Sequence, residues 1–564
     1  MNRRVVMKSL LGAGATGAAF LSARLASAGP TAPAYADVRN PRSFGAQGDG
    51  RANDTRAIQN AIDETSKTGG GIVYVTPGAY LIGTIVLKSH VTVYLEAGAA
   101  LLGSPDLADY YMPREAADLV NNPNARHLIF AFRAVNIGLA GPGLVDGQSA
   151  KFIGKLNKPK PKPEDLWRMT SAFEWERKNR VSPMVEIAES VNVRVEDVTL
   201  QNAVGWTLRT IGCNSVVIRG VKVRNPDYAP NSDGIDPSSS ENVMISDCDV
   251  DTGDDALCIK SDNPYGPNKI TRNVTVTNCI LSSACNGFKI GSEGPNGFAN
   301  IVFSNSVIYS KEGKSDDQRV ISAIDILMPD GGWIEGITIS NITIRNARVP
   351  IFIRLQNIVG RPEAKMVSWL KSVMIADVQA FGAVVTSSIM GIPGHPVEDV
   401  TIRNVRIQTD EKGQEQWASN IVPEREHGYP EGVQFGRFPS FGFYCRHVER
   451  LQLSDIDVRS STSDPRPMIH CDDVSGLELR GIGGTPPAAG AEMVLLRNVR
   501  DAAIHGNYAR PATGTFVRVE GKSSREISLF GNDLHRANNP VLVAENTPAG
   551  AVLIDGKLIE KKPD

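Results

Sequence analysis

One short pattern keeps returning along this chain: Asn-Val-x-Val/Ile-x-Asx-x-x-Val/Ile. It stands clearest as Asn192-Val193-Arg194-Val195-Glu196-Asp197-Val198-Thr199-Leu200. It recurs over 215–225, 242–250, 273–281, 300–308 and 336–344, with weaker copies over 399–407, over 450–458 and from 476 onward. The central apolar residues of the strong copies are Val195, Ile218, Ile245, Val276, Phe303 and Ile339, spaced 23 to 36 residues apart. Each copy reads as two short alternating strands broken at Asn or Asp. Alternation at period two sends one set of side chains inward and the other outward. Asn and Asp tolerate left-handed backbone and suit the bend between the strands. A unit this short cannot bury its inner face alone, but stacked coils can, at about 4.8 Å per coil. The pattern therefore predicts an all-β fold, a single-stranded parallel β-helix. A multi-sheet β-sandwich is the competing architecture, and it leaves the recurring double strand unexplained. Unequal spacing implies loop insertions in some coils, usually on the binding face.

A solenoid needs a plug at its open end. Asn53-Asp54-Thr55 ahead of Ile58, Ala61 and Ile62 predicts a short amphipathic capping helix, ended by Gly69-Gly70-Gly71, with the first coils starting at Val73-Tyr74-Val75. A chain of 564 residues would fill about three to four ordinary domains, but one elongated repeat holds it as a single unit. That unit is expected over 29–564, with a Lys- and Pro-rich loop insertion over 151–181 carrying Trp167 and Trp175, and less regular coils over 365–564. Residues 1–28 read as an address. Asn2-Arg3-Arg4 precedes a weakly apolar run from Leu10 to Leu25, and Ala26-Ser27-Ala28 supplies a cleavage site. This is the form of a twin-arginine export signal, a generic secretory signal being the simpler reading. It places the mature protein in the periplasm or outside the cell. Arg24 inside the run argues against a membrane anchor. The 62 acids nearly balance the 60 bases, which argues against a nucleic-acid partner. Seven cysteines are too few and too odd in number for a disulfide scaffold, and Cys213, Cys248 and Cys279 fall on inward strand positions.

Carboxylates gather in two adjacent coils. Asn231-Ser232-Asp233-Gly234-Ile235-Asp236-Pro237 is followed one coil later by Thr252-Gly253-Asp254-Asp255-Ala256. Aligning Gly234, Ala256 and Gly287 stacks Asp233 on Asp255 and Asp255 on Asn286. Two carboxylates about 5 Å apart repel by a few kcal/mol at an effective dielectric near 20. A structural protein would avoid that cost, whereas a hydrolase can use it to keep one group protonated. Asp254 and Asp255 are consecutive and would face opposite sides of a regular strand. Both line a cleft only if the backbone bends, which Gly253 would allow. An Asp-Asp pair alone is better explained as a turn; three acids converging from two aligned coils point to catalysis.

Asn231-Ser232-Asp233 resembles the Asn-Thr-Asp motif of polygalacturonases, glycoside hydrolase family 28, and Gly253-Asp254-Asp255 matches that family's Gly-Asp-Asp. Ser43 to Gly50 with Asn53-Asp54-Thr55 looks like the family's N-terminal cap, so the resemblance runs from about residue 38 to 360. It implies a right-handed β-helix and an inverting hydrolase of pectin-type chains. It further implies that Asp254 is the general acid while Asp233 and Asp255 hold the attacking water. Inversion calls for about 6.5–9.5 Å between acid and base carboxyls and for an acid of raised pKa. No cofactor or metal is expected, and no His/Cys cluster of zinc type stands in the sequence.

Two departures from the family matter. Its Gly-His-Gly is Cys285-Asn286-Gly287 here, and Asn286 can hydrogen-bond but cannot titrate. Its Arg-x-Lys pair, which grips the galacturonate carboxylate, falls near Ala323-Ile324-Asp325, where an Asp would repel a uronate. Either the sugar there is not galacturonate, or the grip comes from Lys289, Lys260 or Arg354. Lys289 leads, because it aligns with Cys258, just past the acids. Asn286, Lys289, Lys260 and Arg354 are thus the candidate substrate-binding residues, with a solvated or ion-paired base as the plainer reading of each of the three. Farther on, Pro423-Glu424, Tyr429-Pro430 and the cluster Phe441, Phe443 and Tyr444 have no assigned role, and Arg446 and His447 either line a neighbouring subsite or are structural. The favoured partner is a polysaccharide or oligosaccharide of pectic type, with rhamnogalacturonan as an alternative. A Ca²⁺-dependent polysaccharide lyase and a non-catalytic glycan-binding β-helix remain open.

Overall fold

The six apolar residues of the repeat form one stacked column. Val195 pairs with Ile218, Ile218 with Ile245, Ile245 with Val276, Val276 with Phe303 and Phe303 with Ile339, all in parallel register. The column continues through Ile375, Ile402, Leu453, Leu479, Ile504 and Leu529, and every member is buried. The structure, a computed structural model, describes residues 37–559 apart from 121–124, 156–174, 178–179, 315–317, 358–366 and 428. The leader expected over 1–28 lies outside the described residues, as does most of the loop expected over 151–181, Trp167 included. The two ends of that loop, Ile153–Lys155 and Trp175–Arg177, pair as a short antiparallel ladder.

The bends explain the recurrence of Asn and Asp. Asn192, Asn242, Asn273 and Asn300 all take positive φ, and so do Asp197, Asp247, Asn278 and Asn305 farther along the same copies. Asn bears that conformation at lower cost than most residues. The side chains add a second reason. Asn242 Nδ2 donates to Asn214 Oδ1 (3.0 Å), Asn273 Nδ2 to Asn242 Oδ1 (3.0 Å) and Asn300 Nδ2 to Asn273 Oδ1 (3.1 Å), so a ladder of amides ties coil to coil.

The helix Thr55–Lys67 buries Ala57, Ile58, Ala61 and Ile62 against the first coils. Asp54 does not cap it by its side chain; its carboxylate accepts instead from the amides of Gln47 (2.7 Å) and Gly48 (2.9 Å). Gly71 permits a close approach after the helix, since a Cβ there would fall 2.2 Å from the carbonyl oxygen of Asp37. Among the described residues no helix is long and apolar enough to cross a membrane.

One core runs the length of the coil and takes in Cys213, Cys248 and Cys279, as well as Phe441 and Phe443. A second apolar cluster lies apart from it. Between the strands Val397–Thr409 and Phe443–Ser460 the chain leaves the coil, and Val422, Val433, Phe435 and Phe438 of that excursion pack on Phe352, Met390, Tyr444 and Cys285. Its base is pinned by ion pairs: the buried Glu411 receives the partly exposed Arg437 and the buried Arg466, each at 2.7 Å. The packing brings a segment near residue 430 back over the coils that carry the acids.

Candidate active site

The strands Ile235–Ser238, Leu257–Ile259, Phe288–Ile290 and Ser322–Met328 stack in one parallel sheet, with Ile235, Leu257, Phe288 and Ile324 in line. Just before them the backbone ladder continues: Gly234 N donates to Asp255 O (2.9 Å), Ala256 N to Asn286 O (2.9 Å) and Gly287 N to Ser322 O (3.0 Å). Asp233 therefore stacks on Asp255, and Asp255 on Asn286. Small residues are needed there for space. A Cβ on Gly234 would lie 2.3 Å from Ala256 O, and one on Gly253 would lie 2.6 Å from the carbonyl oxygens of Pro226 and Ala229. Gly253 thus serves by size, letting the turn press on its neighbour, and not by the backbone freedom expected of it.

The turn presents both members of the Asp pair. Asp254 Oδ1 accepts from the amide of Asp255 (2.9 Å), and its Oδ2 accepts from the amide (3.2 Å) and the side chain (3.3 Å) of Asn231. The backbone oxygen of Asp254 is held by Ser283 Oγ (2.6 Å) and by Thr252 Oγ1. Oxygens of Asp254 and Asp255, with Cys285 Sγ, lie within 4.8 Å of one another; so do oxygens of Asp233 and Asp255 with Cys258 Sγ. The three carboxyls converge as expected from the alignment. The wide separation expected between acid and base does not hold for Asp254 and Asp255, because the Asp254 carboxyl folds back onto the Asp255 amide and its oxygens come within 4.8 Å of those of Asp255.

Their environments pull them apart in charge. Burial and the neighbouring Asp255 charge push Asp254 up to about 6. Burial, opposed by Lys260 and reinforced by Asp254 and Asp255, pushes Asp233 up to about 8. Burial also works against ionised Asp255, but Lys289, Lys260 and the hydrogen bonds from Lys289 and Asn286 outweigh it and hold Asp255 below the usual range. At mildly acidic pH the arrangement holds one carboxylate, Asp255, beside two carboxylic acids, Asp254 and Asp233.

The acids open into a pocket of about 370 Å³, whose wall also includes Trp206, Lys260, Glu293, Tyr429 and Glu431. Of the four candidate substrate-binding residues, only Lys260 is on this wall. Its Nζ lies 3.3 Å from Asp233 and 2.9 Å from Glu293, and 5.0 Å from the ring centre of Trp206. Lys289 is sealed behind the wall, with Nζ 3.0 Å from Asp255, 2.7 Å from the Tyr429 hydroxyl and 3.8 Å from Glu431. Asn286 is fully buried; its Nδ2 donates to Asp255 Oδ1 (2.9 Å) and its Oδ1 accepts from Ser322 N (3.0 Å). Arg354 is not brought to the pocket wall. Its guanidinium donates to the carbonyls of Gly391 (2.7 Å), Arg425 (3.2 Å) and Glu424, which fastens the excursion to the coil. Arg446 bonds the carbonyls of Val422 (2.8 Å) and Pro423 (3.2 Å), while His447 faces Asp473 (2.7 Å) and Glu424 (3.3 Å), so both help to hold the same segment. Asp325, expected to repel a uronate, stacks on Lys289 away from the pocket wall. Burial pushes its carboxyl well above the ordinary range, and neither oxygen has a hydrogen-bond partner among the described residues.

The sequence pattern missed Trp206, Glu293 and Glu431. Glu431 arrives from a segment with no repeat and no motif, beside the Tyr429-Pro430 pair that had no role to suggest. As for metals, the oxygen and sulfur clusters around Asp255 are compact enough to hold a cation, but the ammonium groups of Lys260 and Lys289 already stand against the same carboxylates.

Known proteins resemble this chain in sequence and in fold. The profile of Glycosyl hydrolases family 28 matches residues 80–427, and that of Rhamnogalacturonase A/epimerase, pectate lyase-like, matches residues 38–104. A probable polygalacturonase of Vitis vinifera is 25% identical over 418 residues, 70% of this chain and 78% of the relative. An endo-polygalacturonase of Pectobacterium carotovorum subsp. carotovorum is 25% identical over 364 residues, 63% of this chain and 84% of the relative. The family 28 exopolygalacturonase of Yersinia enterocolitica superposes with a TM-score of 0.58 at 19% identity, covering 80% of this chain and 79% of that one. The exopolygalacturonase of Thermotoga maritima superposes with a TM-score of 0.53 at 22% identity, covering 75% and 91%. These two structural likenesses are of fold.

Proposed function

The chain belongs to the glycosyl hydrolases of family 28, and on that premise we propose that it hydrolyses O-glycosidic bonds in pectin-type polysaccharide, with Asp254 as general acid and Asp255 as general base. The polygalacturonase names of its relatives support the pectic class. The observation that carries the assignment is the split between adjacent carboxyls, Asp254 raised to about 6 and Asp255 held below its ordinary range, in one pocket. Asp254 gives its proton to the glycosidic oxygen as the bond to the anomeric carbon breaks. Asp255, with Asp233 beside it, holds a water and takes its proton as the water oxygen bonds to that carbon from the opposite face. Attack and departure on opposite faces invert the anomeric configuration, here with the acid and base oxygens within 4.8 Å, closer than the about 6.5–9.5 Å usual for an inverting pair, and the two carboxyls exchange protonation states, to be reset through solvent. The Asn2-Arg3-Arg4 leader supports export by the twin-arginine route, with the enzyme working in the periplasm or outside the cell.

The test is product analysis by NMR on a panel of pectic polymers and oligosaccharides. Wild type is expected to release new reducing ends of inverted anomeric configuration. Asp254→Asn is expected to lower kcat by roughly 10²–10⁴-fold with an unchanged circular dichroism spectrum. Turnover retained in that variant would remove Asp254 from the mechanism.

A further inference from the structure

The pocket wall carries five carboxyl groups, those of Asp233, Asp254, Asp255, Glu293 and Glu431, against one base among the described residues, Lys260. That base is already paired with Asp233 and Glu293. Of the bases behind the wall, Arg180 donates to Asn231 (2.6 Å), Arg209 pairs with Glu186 (3.0 Å), and Lys289 is 1% exposed and is closed off by Tyr429 and Glu431. Both come from the excursion between Thr409 and Phe443, fastened by Arg354, Arg446 and the Glu411 cluster. Asn286 Nδ2 meets the Glu431 carboxyl at 3.4 and 3.5 Å, which orients it. The protein thus places its own carboxyl beside Lys289, where a uronate would have to sit to use that charge.

Resting on the hydrolase reading above, we propose that the sugar whose anomeric carbon faces Asp255 is a neutral one, and that Tyr429 and Glu431 are the residues that select it. Among the described residues of the wall, a uronate in this subsite would meet the carboxylates of Asp255 and Glu293 and no base that is not already paired. A neutral sugar brings hydroxyl donors, and the carboxyl oxygens of the partly exposed Glu293 can accept from them. Its C–H face suits the ring of Trp206 on the same wall. Within a pectic chain, such a bond occurs where a neutral residue interrupts the galacturonates or where a neutral branch is attached.

The full chain is assayed on oligogalacturonides, on the same oligosaccharides with carboxyls reduced to hydroxymethyl groups, and on rhamnogalacturonan oligosaccharides. Each new reducing end is identified after borodeuteride reduction. Expected is a neutral new reducing end, with kcat/KM at least about tenfold above that for oligogalacturonides, the factor that one lost charge-assisted contact commands. Tyr429→Ala/Glu431→Ala uncovers Lys289 and should move that ratio about tenfold towards oligogalacturonides. A wild-type enzyme that prefers oligogalacturonides and leaves a uronate at the new end overturns this inference and leaves the hydrolase reading standing. Absence of any hydrolysis sensitive to Asp254→Asn overturns both. An unchanged ratio in a double variant with a normal thermal transition removes the role of Tyr429 and Glu431. If the double variant does not fold, the wild-type products decide the matter alone.

Discussion

Lys289 Nζ lies 3.0 Å from the carboxylate of Asp255, and neither side chain is more than 4% exposed. This ion pair is what lets two consecutive aspartates titrate differently. Asp255 is held charged by a partner that Asp254 does not share at contact distance, so Asp254 keeps its proton beside it.

Lys289→Met should therefore abolish that division. Asp255 would be left buried and unpaired, and breaking such a pair costs about 3–5 kcal/mol of stability. Expected are a lower melting temperature, a fall in kcat, and an acidic limb of the pH–rate profile displaced to higher pH, because Asp255 would take up a proton more readily. A profile identical to wild type would show that Lys289 does not set the state of the base.

The pH–rate profile of the wild type follows from the same split. The base, Asp255, loses activity when protonated, below the ordinary carboxylate range. The acid, Asp254, loses activity as it deprotonates through about 6. Expected is a bell with its alkaline limb near pH 6, read from kcat/KM against pH. Activity that keeps rising to pH 8 would contradict Asp254 as the acid.

Stability should fall as pH rises from about 4 to 8. Burial raises Asp254 to about 6, Glu431 to about 7 and Asp233 to about 8, and it raises Asp236 and Asp325 well above the ordinary range. Over that window the native chain binds more protons than the unfolded chain, so unfolding becomes easier with each added pH unit. The slope is the reverse of that for a protein dominated by depressed carboxylates. Thermal unfolding from pH 4.5 to 8 measures it. Asp325→Asn removes one contributor and should flatten the curve, and a melting temperature that climbs with pH would refute the assignment of protonated buried acids.

Arg354→Met should act on the excursion rather than on the coil. It removes the bonds to the carbonyls of Gly391, Glu424 and Arg425. Leaving buried acceptors unpaired costs about 1–3 kcal/mol each. Expected are faster proteolysis around residues 420–430 and a raised KM, because Tyr429 and Glu431 lose their placement, while the far-ultraviolet dichroism of the coil persists. Unchanged proteolysis and KM would show that the excursion is held by its apolar contacts alone.

The amino-acid sequence by itself determined the coil and the stacking of its acids. Val195, Ile218 and Ile245 fall in one column because the period-two pattern and the Asx bends repeat in every turn, so register is written locally, coil by coil. The same local rule put Asp233, Asp255 and Asn286 one above another. Only the tertiary structure decided what surrounds them. Glu431 meets Asn286 across 145 residues of chain, through an excursion whose path is set by Val433, Phe435 and Phe438 packing on the outside of the coil. Contacts of that kind depend on shape and burial between non-repeating segments, which leave no periodicity to read. For the same reason Lys289 and Arg354, both plausible grips for a substrate when read along the chain, are sealed or turned away in space, and the pocket wall is lined instead by carboxyl groups drawn from distant segments.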